Sequence, residues 1–297
     1  MLMSAQQKIN NDQSFAHAKG SSANQTPESI TIRPRHLHFD VKEDLATLWH
    51  SGDAFKTAFF NALSLQFPRG ERHFIDSVRN YRDRVKDPAL QENIRGFIGQ
   101  EGLHSKEHEA YNEALAQRGY DLDAIDKRFS AHMDYVYSKR NHLRLAGTCA
   151  AEHYTAVLAH GLLNNPDWLH GASPRMQALW RWHAIEEIEH KSVAFDVYQS
   201  EIGIHKVRFI VFFVVTYNFF KYTFLNTCSM LKTEGKLWSL KTWLKGLNYL
   251  WGKPGVIRKC LPQLLKYLRR DFHPWQLDER QDLKKWSQHL EETGYGT

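Results

Sequence analysis

Apolar residues recur every three or four positions through the middle of the chain, and between residues 54 and 203 they nowhere alternate at period two. Two helix starts are strongly marked, because Asp87-Pro88 and Ser173-Pro174 place a capping side chain directly before a proline that suits the first helical position. We therefore expect an all-α protein in which residues 31–203 form an antiparallel four-helix bundle. The predicted helices cover about residues 53–85, 88–117, 122–138, 141–163 and 173–201.

The beginning of the chain is less regular. Residues 1–30 are polar and lack the charged start and apolar run of a signal peptide, so we predict a disordered tail. Residues 31–52 are expected to be extended or irregular. In the first helical stretch, Pro68 and Gly70 interrupt the pattern, which predicts either two helices that meet or one that bends, with Glu71 at the start or at the kink.

Residues 204–297 differ from the bundle in hydropathy. The segment Val207–Leu225 is apolar for 19 residues apart from Arg208, Asn218 and Lys221. Three arrangements stay open for it: a helix buried against the bundle, a membrane span, or a helix in the lipid headgroup layer. Basic amphipathic helices follow, around residues 238–250, 255–270 and 277–292. We expect this region to pack on the bundle or on a membrane surface.

The charge is distributed unevenly along the chain. The 297 residues have a net charge of +6, yet residues 205–275 contain thirteen Lys or Arg and only two acids. Basic helices rich in Trp, Phe and Leu are attracted to anionic lipid, so we expect peripheral membrane contact. No nucleic-acid partner is expected, because the region has no known binding motif. The three cysteines show no CxxC spacing, which argues against a disulfide framework and fits the cytoplasm, at or near the inner face of the membrane.

The candidate chemistry lies in two similar sets of residues. In each set a single glutamate precedes a Glu-x-x-His, whose two side chains share one helix face because they are three residues apart. One glutamate from each of two helices and one Glu-x-x-His from each of two others can hold two metal ions inside a four-helix bundle. The predicted ligands are Glu71, Glu101 and His104 in the first set, and Glu152, Glu187 and His190 in the second.

The roles within this set can be assigned in more than one way. We expect Glu71 and Glu152 to bridge the ions, with one Glu-x-x-His pair on each ion. Three further residues are alternative ligands, or residues that support the ligands: His108, His183 and Glu186. His108 shares a helix face with Glu101 and His183 shares one with Glu187, whereas Glu186 is the neighbour of Glu187 in the sequence. Imidazole and carboxylate without sulfur suit iron, which we expect, or manganese or zinc.

At these residues the chain resembles the ferritin-like dimetal-carboxylate proteins, which implies a ferritin-like bundle, two irons and a reaction with dioxygen. The stretches FPRGERHF, GQEGLHSKEHEAYNEAL and WHAIEEIEHKSVAFDVY resemble more closely a bacterial family described as predicted metal-dependent hydrolases, over about residues 30–275. That family name implies hydrolysis by a metal-activated water.

The sequence thus leads to three functional hypotheses. The first is a di-iron enzyme that uses oxygen, and an electron donor, to oxidise or oxygenate a small apolar or lipid-like substrate. The alternative is a metal-dependent hydrolase, and the third hypothesis is a metal store or a membrane-associated scaffold. The sequence leaves the oligomeric state open, and a homodimer is among the candidates.

Overall fold

The computed structural model describes residues 24–294, and within them the regular structure is helical, with one isolated bridge between His50 and Ala172 and no strand. The predicted all-α class is confirmed. The first 23 residues of the predicted tail lie outside the described residues. The helices are α1 (Lys42–Leu45), α2 (Ala54–Ser64), α3 (Phe67–Arg82), α4 (Pro88–Gln117), α5 (Leu122–Tyr137), α6 (Asn141–Asn164), α7 (Pro174–His190), α8 (Val193–Glu201), α9 (His205–Thr233), α10 (Leu240–Trp251), α11 (Val256–Lys266) and α12 (Arg280–Glu292).

Four long helices enclose the centre of the protein. Helix α3 packs on α4 and α6, and α7 packs on the same two, so the four form a closed ring. The predicted caps are present, since the Asp87 carboxylate accepts from the amides of Ala89 and Leu90, and the Ser173 hydroxyl accepts from the amide of Met176. The ferritin-like arrangement of this ring stays a prediction.

Two helix boundaries near the candidate ligands are informative. The first predicted stretch is two helices, α2 and α3, and Pro68 stands in the first turn of α3 with Glu71 just behind it. The prediction of one helix over residues 173–201 is wrong, because α7 ends at His190 and α8 begins at Val193. The intervening turn places the buried ammonium of Lys191 against the Glu279 carboxylate and the Leu277 carbonyl, the acceptors that a buried cation requires.

The C-terminal helices complete the core. Helix α9 packs on α2 and α6, α11 packs on α6, and α12 packs on α7. Arg208 of α9 is 1% exposed, and its guanidinium donates to the carbonyls of Tyr267 at 2.5 Å and Arg269 at 2.7 Å. One apolar cluster runs through the bundle and these helices. The division of the chain at residue 204 stays a prediction.

The segment before α1, residues 31–41, has no regular secondary structure and lies across α4 and α7 as a strap. Ile32 and Pro34 of this strap lie directly on α4, where Gly96 and Gly99 face them. A Cβ atom at either glycine would overlap the strap, so this close approach requires glycine at both positions. The strap holds Arg35 against Glu186 and Glu189 near the end of α7.

Candidate metal centre

The four helices of the ring bring the six predicted ligands together in the interior. Glu71 comes from α3, and Glu152 comes from α6. Helix α4 supplies one Glu-x-x-His pair and α7 supplies the other, so the i, i+3 spacing directs both members of each pair inward. None of the six side chains is more than 2% exposed.

One group of candidate ligands surrounds His190. Its Nε2 atom lies 3.3 Å from Oε1 of Glu101, 3.4 Å from Oε2 of Glu152 and 3.6 Å from Oε2 of Glu187. Ligand atoms bound at about 2.1 Å to one ion lie roughly 3.0–3.4 Å from one another. The spacing around His190 therefore suits a shared cation.

A second group surrounds His104. Its Nδ1 atom lies 3.4 Å from Oε1 of Glu187, and it shares one group with Glu101 and Glu187 and another with Glu71 and His183. The ligand atoms of each such group lie within 4.8 Å of one another. Glu101 and Glu187 thus lie near both His104 and His190, whereas Glu71 is grouped with His104 and His183 and not with His190. The expectation that Glu71 and Glu152 bridge the ions stays a prediction, and the positions of Glu101 and Glu187 offer a second assignment.

Several ligand atoms lack hydrogen-bond partners despite their burial. Both carboxylate oxygens of Glu71, Glu101 and Glu152 are in this state, as are Nε2 of His190 and both ring nitrogens of His104. Buried carboxylates without partners are costly, and cations held among them would remove that cost. The unpartnered atoms and the mixture of imidazole nitrogen and carboxylate oxygen fit iron, manganese or zinc.

The site without metal retains protons. Burial raises the pKa of Glu71 to about 8 and the pKa of Glu101 well above its usual range. Burial opposes the charge on the two imidazoles, but the surrounding carboxylates raise the pKa of His104 to about 9 and that of His190 to about 10. Metal ions entering this site must displace these protons, since both ligand types bind metal in their deprotonated forms.

Hydrogen bonds from outside the ligand set orient the imidazole of His190. Its Nδ1 atom lies 2.9 Å from the side-chain carbonyl of Gln100, which only accepts, so a neutral His190 has its proton on Nδ1 and directs Nε2 at the carboxylates. The amide of Gln100 donates to Glu189 at 2.7 Å and to the Arg33 carbonyl at 3.2 Å, which fixes its orientation.

Glu186 lies beside the imidazole of His104. Its Oε2 lies 3.1 Å from Nε2 of His104, and its Oε1 accepts from the backbone and the guanidinium of Arg35. Arg35 also binds both oxygens of Glu189. Glu186 therefore lies at the Nε2 side of His104, whereas Glu187 lies at the Nδ1 side. The helix register thus gives the two glutamates different positions around His104.

A chain of hydrogen bonds determines the tautomer of His183. Asn112 donates to the Ser64 carbonyl, so its own carbonyl oxygen must accept from the Ser64 hydroxyl. Ser64 then accepts from Nδ1 of His108, and Nε2 of His108 accepts from Nδ1 of His183. Burial lowers the pKa of His183 to about 4, which leaves it neutral. Its Nε2 lone pair consequently points at Oε1 of Glu187, 3.1 Å away, an arrangement that a cation between the two atoms would stabilise.

A cavity of about 520 Å³ reaches the centre from one side. Glu71 and Glu187 stand in its wall, and the remaining wall comes from α3, α5, α6 and α9. Gly147 and Ala151 of α6 leave space beside the centre. Apolar and aromatic side chains dominate the lining, among them Phe67, Phe74, Phe129, Met133, Val136, Leu143, Val211, Val215 and Phe219.

The structure thus brings together all six residues that the sequence singled out, with His183 beside them and His108 one hydrogen bond further away. Sequence reasoning missed Gln100, Glu189 and Arg35. Gln100 and Glu189 each directly precede a predicted ligand, a position that normally points to another helix face. Arg35 lies about 150 residues before its partners, in a segment without helical periodicity.

Comparison with known proteins gives one family. The family described as predicted metal-dependent hydrolase matches residues 33–278, which includes every candidate ligand and most of the C-terminal helices. No curated protein and no solved structure matches the chain. The resemblance of the three sequence stretches to this family is confirmed, whereas the resemblance to ferritin-like proteins stays a prediction. Since the match covers most of its length, the chain belongs to the family of predicted metal-dependent hydrolases.

Proposed function

We propose that this protein is a metal-dependent hydrolase with two metal ions and a small apolar or lipid-like substrate. The observation that carries the proposal is the position of the six buried ligands, which form overlapping groups at the wall of an apolar cavity. Membership in the family supports hydrolysis over the oxidation that the sequence alone favoured.

The distances favour a particular division of the ligands. Glu101 and Glu187 would be shared, Glu152 and His190 would complete one ion, and Glu71 and His104 the other. His183 would be a further ligand beside Glu187, since its Nε2 lone pair points there. When bound, such ions activate a water and polarise a carbonyl or phosphoryl oxygen.

The chain itself supplies orientation and exclusion of water. The side-chain carbonyl of Gln100 accepts from Nδ1 of a neutral His190 and so fixes its tautomer, and the Glu186 carboxylate lies 3.1 Å from Nε2 of His104. The apolar cavity accepts the chain of a substrate and keeps bulk water from the reacting group. Neutral His183 holds its proton on Nδ1 through His108 and Ser64 and keeps Nε2 available at the centre.

Metal content and turnover test the proposal together. Freshly purified protein is analysed for metal by mass spectrometry and assayed without oxygen on p-nitrophenyl esters of increasing acyl length. We expect close to two ions per chain and hydrolysis that favours the longer chains. Metal-loaded protein that hydrolyses neither these esters nor the corresponding phosphate esters would contradict the proposal.

The double variant Glu101→Ala/His104→Ala removes one shared carboxylate and one imidazole. We expect it to lose bound metal and all turnover while the far-ultraviolet circular dichroism stays helical. Glu113→Ala is the matched control, because Glu113 is exposed on the same helix. If the double variant keeps its metal and its fold unchanged, the ligand assignment is wrong.

Oxygen-dependent oxidation of the same class of substrate is the second candidate. Four glutamates in the ligand set favour it, because an electron-rich set reduces Lewis acidity and suits oxidised iron. It would require an electron donor. Iron-loaded, reduced protein should then change its absorption spectrum when oxygen is admitted, and the absence of such a change would eliminate this candidate.

A further inference from the structure

Large apolar side chains are exposed in one part of the protein. Among the described residues, sixteen large hydrophobic side chains are exposed, and fourteen of them belong to α9, α10, α11 or the loop between α9 and α10. We call these fourteen the apolar face. They are Phe209, Ile210, Phe213, Val214, Tyr217, Phe220, Phe224, Trp238, Leu240, Leu244, Leu247, Trp251, Leu261 and Leu265.

The apolar face consists of stripes along the helices. On α9 its members recur every three or four residues from Phe209 to Phe224, while the opposite side of α9 is buried. On α10, Leu240, Leu244, Leu247 and Trp251 form a second stripe. The two stripes approach each other at Phe224, whose ring centroid lies 5.8 Å from that of Trp243 on α10.

Positive charge surrounds the apolar face. The exposed basic residues of α9 to α11 include Lys206 and Lys221 on α9 and Lys241 and Lys245 on α10. Between residues 206 and 270 the one acid is Glu234, and it is paired with Arg118 at 2.8 Å. Exposed apolar stripes flanked by unopposed cations are typical of helices that lie in the headgroup layer of an anionic membrane.

Helix α9 is unsuited to crossing a bilayer. Within the described residues it is long and apolar enough to do so by length and composition. However, it packs on α2 and α6, and its buried side includes the charged Arg208. A span would have to separate these contacts and move that charge into hydrocarbon, which is costly. The same contacts allow α9 to lie parallel to the membrane plane.

The cavity of the candidate metal centre opens at the apolar face. Ile210 and Val214, about half exposed at 52% and 54%, also line the cavity. Tyr135 of α5 lines it from the other side and is 61% exposed. Lys139 lies over the Tyr135 ring at 3.5 Å, so one edge of the opening is aromatic and cationic.

We propose that the apolar face docks on the surface of a bilayer that contains anionic lipids. The charge argues for lipid over a second copy of the chain, because a two-fold dimer through this face would bring two sets of unopposed cations together. Docking also places the cavity opening at the acyl chains, which is a route for a lipid-like substrate. This last consequence rests on the proposed function, whereas docking does not.

Vesicle flotation tests the docking. The full chain is mixed with vesicles of phosphatidylglycerol and phosphatidylcholine, or of phosphatidylcholine alone, at low and high salt. We expect binding to the anionic vesicles that weakens with salt. Leu244→Glu/Leu247→Glu should abolish it. Lys241→Glu/Lys245→Glu should weaken it at least about 30-fold, since each cation near an anionic surface contributes roughly a factor of five.

The control is Lys284→Glu/Lys285→Glu, which changes the charge by the same amount on exposed residues of α12, away from the apolar face. It should bind like the parent. So should Glu101→Ala/His104→Ala, which separates loss of docking from loss of the proposed reaction. No binding of the parent to anionic vesicles would overturn the proposal. So would a dimer in analytical ultracentrifugation that Leu244→Glu/Leu247→Glu dissociates, because the face would then be covered by a second copy.

Discussion

The metal centre and the apolar face both reverse the usual distribution of side chains in a folded protein. At the centre, carboxylates and imidazoles are enclosed with at most 2% exposure. At the apolar face, phenylalanine, leucine and tryptophan side chains are exposed, and Trp238 is 93% exposed. Each region is costly by itself, since buried unpaired charges and exposed apolar patches are both unfavourable.

The difference between the two regions is in how far the protein compensates for them. Around the centre, Gln100 is hydrogen-bonded to His190, and Arg35 holds Glu186, whose carboxylate lies 3.1 Å from His104. Most carboxylate oxygens of the ligands lack hydrogen-bond partners. At the apolar face, no described part of the chain covers the stripes. The first region therefore requires only small ions to complete it, whereas the second requires a surface as large as itself.

The largest expected effect concerns protein stability, at two neighbouring leucines of α11. Leu264 is buried and Leu265 is half exposed within the apolar face. Leu264→Ala should lower the free energy of unfolding by about 2–5 kcal/mol, because it leaves a cavity in the core. Leu265→Ala should change it by less than about 0.5 kcal/mol. Urea unfolding measures both, and a large cost at Leu265 would show that the apolar face is covered by protein.

The next largest effect is expected on metal affinity, from the residue that orients His190. Gln100→Ala removes the acceptor that orients His190 and should weaken metal binding about 10- to 100-fold. Gln117→Ala, an exposed position at the end of the same helix, is the control. Competition with a coloured chelator measures the affinities. Equal affinities for the two variants would mean that His190 does not bind metal through Nε2.

A pH series separates the two regions, because metal affinity and vesicle binding are expected to respond differently to pH. With a pKa of about 8, Glu71 is protonated below pH 8 when no metal is bound, so metal must displace its proton and affinity should fall as pH falls. Each proton that metal displaces contributes about a tenfold change in metal affinity per pH unit. Calorimetry in buffers of different ionisation enthalpy counts these protons.

Vesicle binding should change little over pH 7–8, since it depends on lysine and arginine. An affinity independent of pH would contradict the protonated state of the centre.

The sequence predicted the helical class and brought the six candidate ligands to notice, because capping residues and i, i+3 spacing are local properties. It did not predict Gln100 or Arg35, whose roles depend on which helix faces meet. It also did not show that Glu101 and Glu187 lie near both His104 and His190, since that depends on how far each helix extends past its neighbours in the bundle. For Val207–Leu225, composition left three arrangements open, and only the packing of α9 shows which side is buried.

The strap has a consequence for the order of folding. Arg35 and Glu189 are 154 residues apart in the chain, and the strap reaches its place only through close contact with Gly96 and Gly99 of α4. Contacts of such sequence separation form late, because a long loop must close first. During synthesis, the acidic end of α7 leaves the ribosome long after the strap, so the contact between them forms only once both segments are present. Arg35 therefore reaches Glu186 and Glu189 only after α7 has been synthesised, although the strap itself is made first.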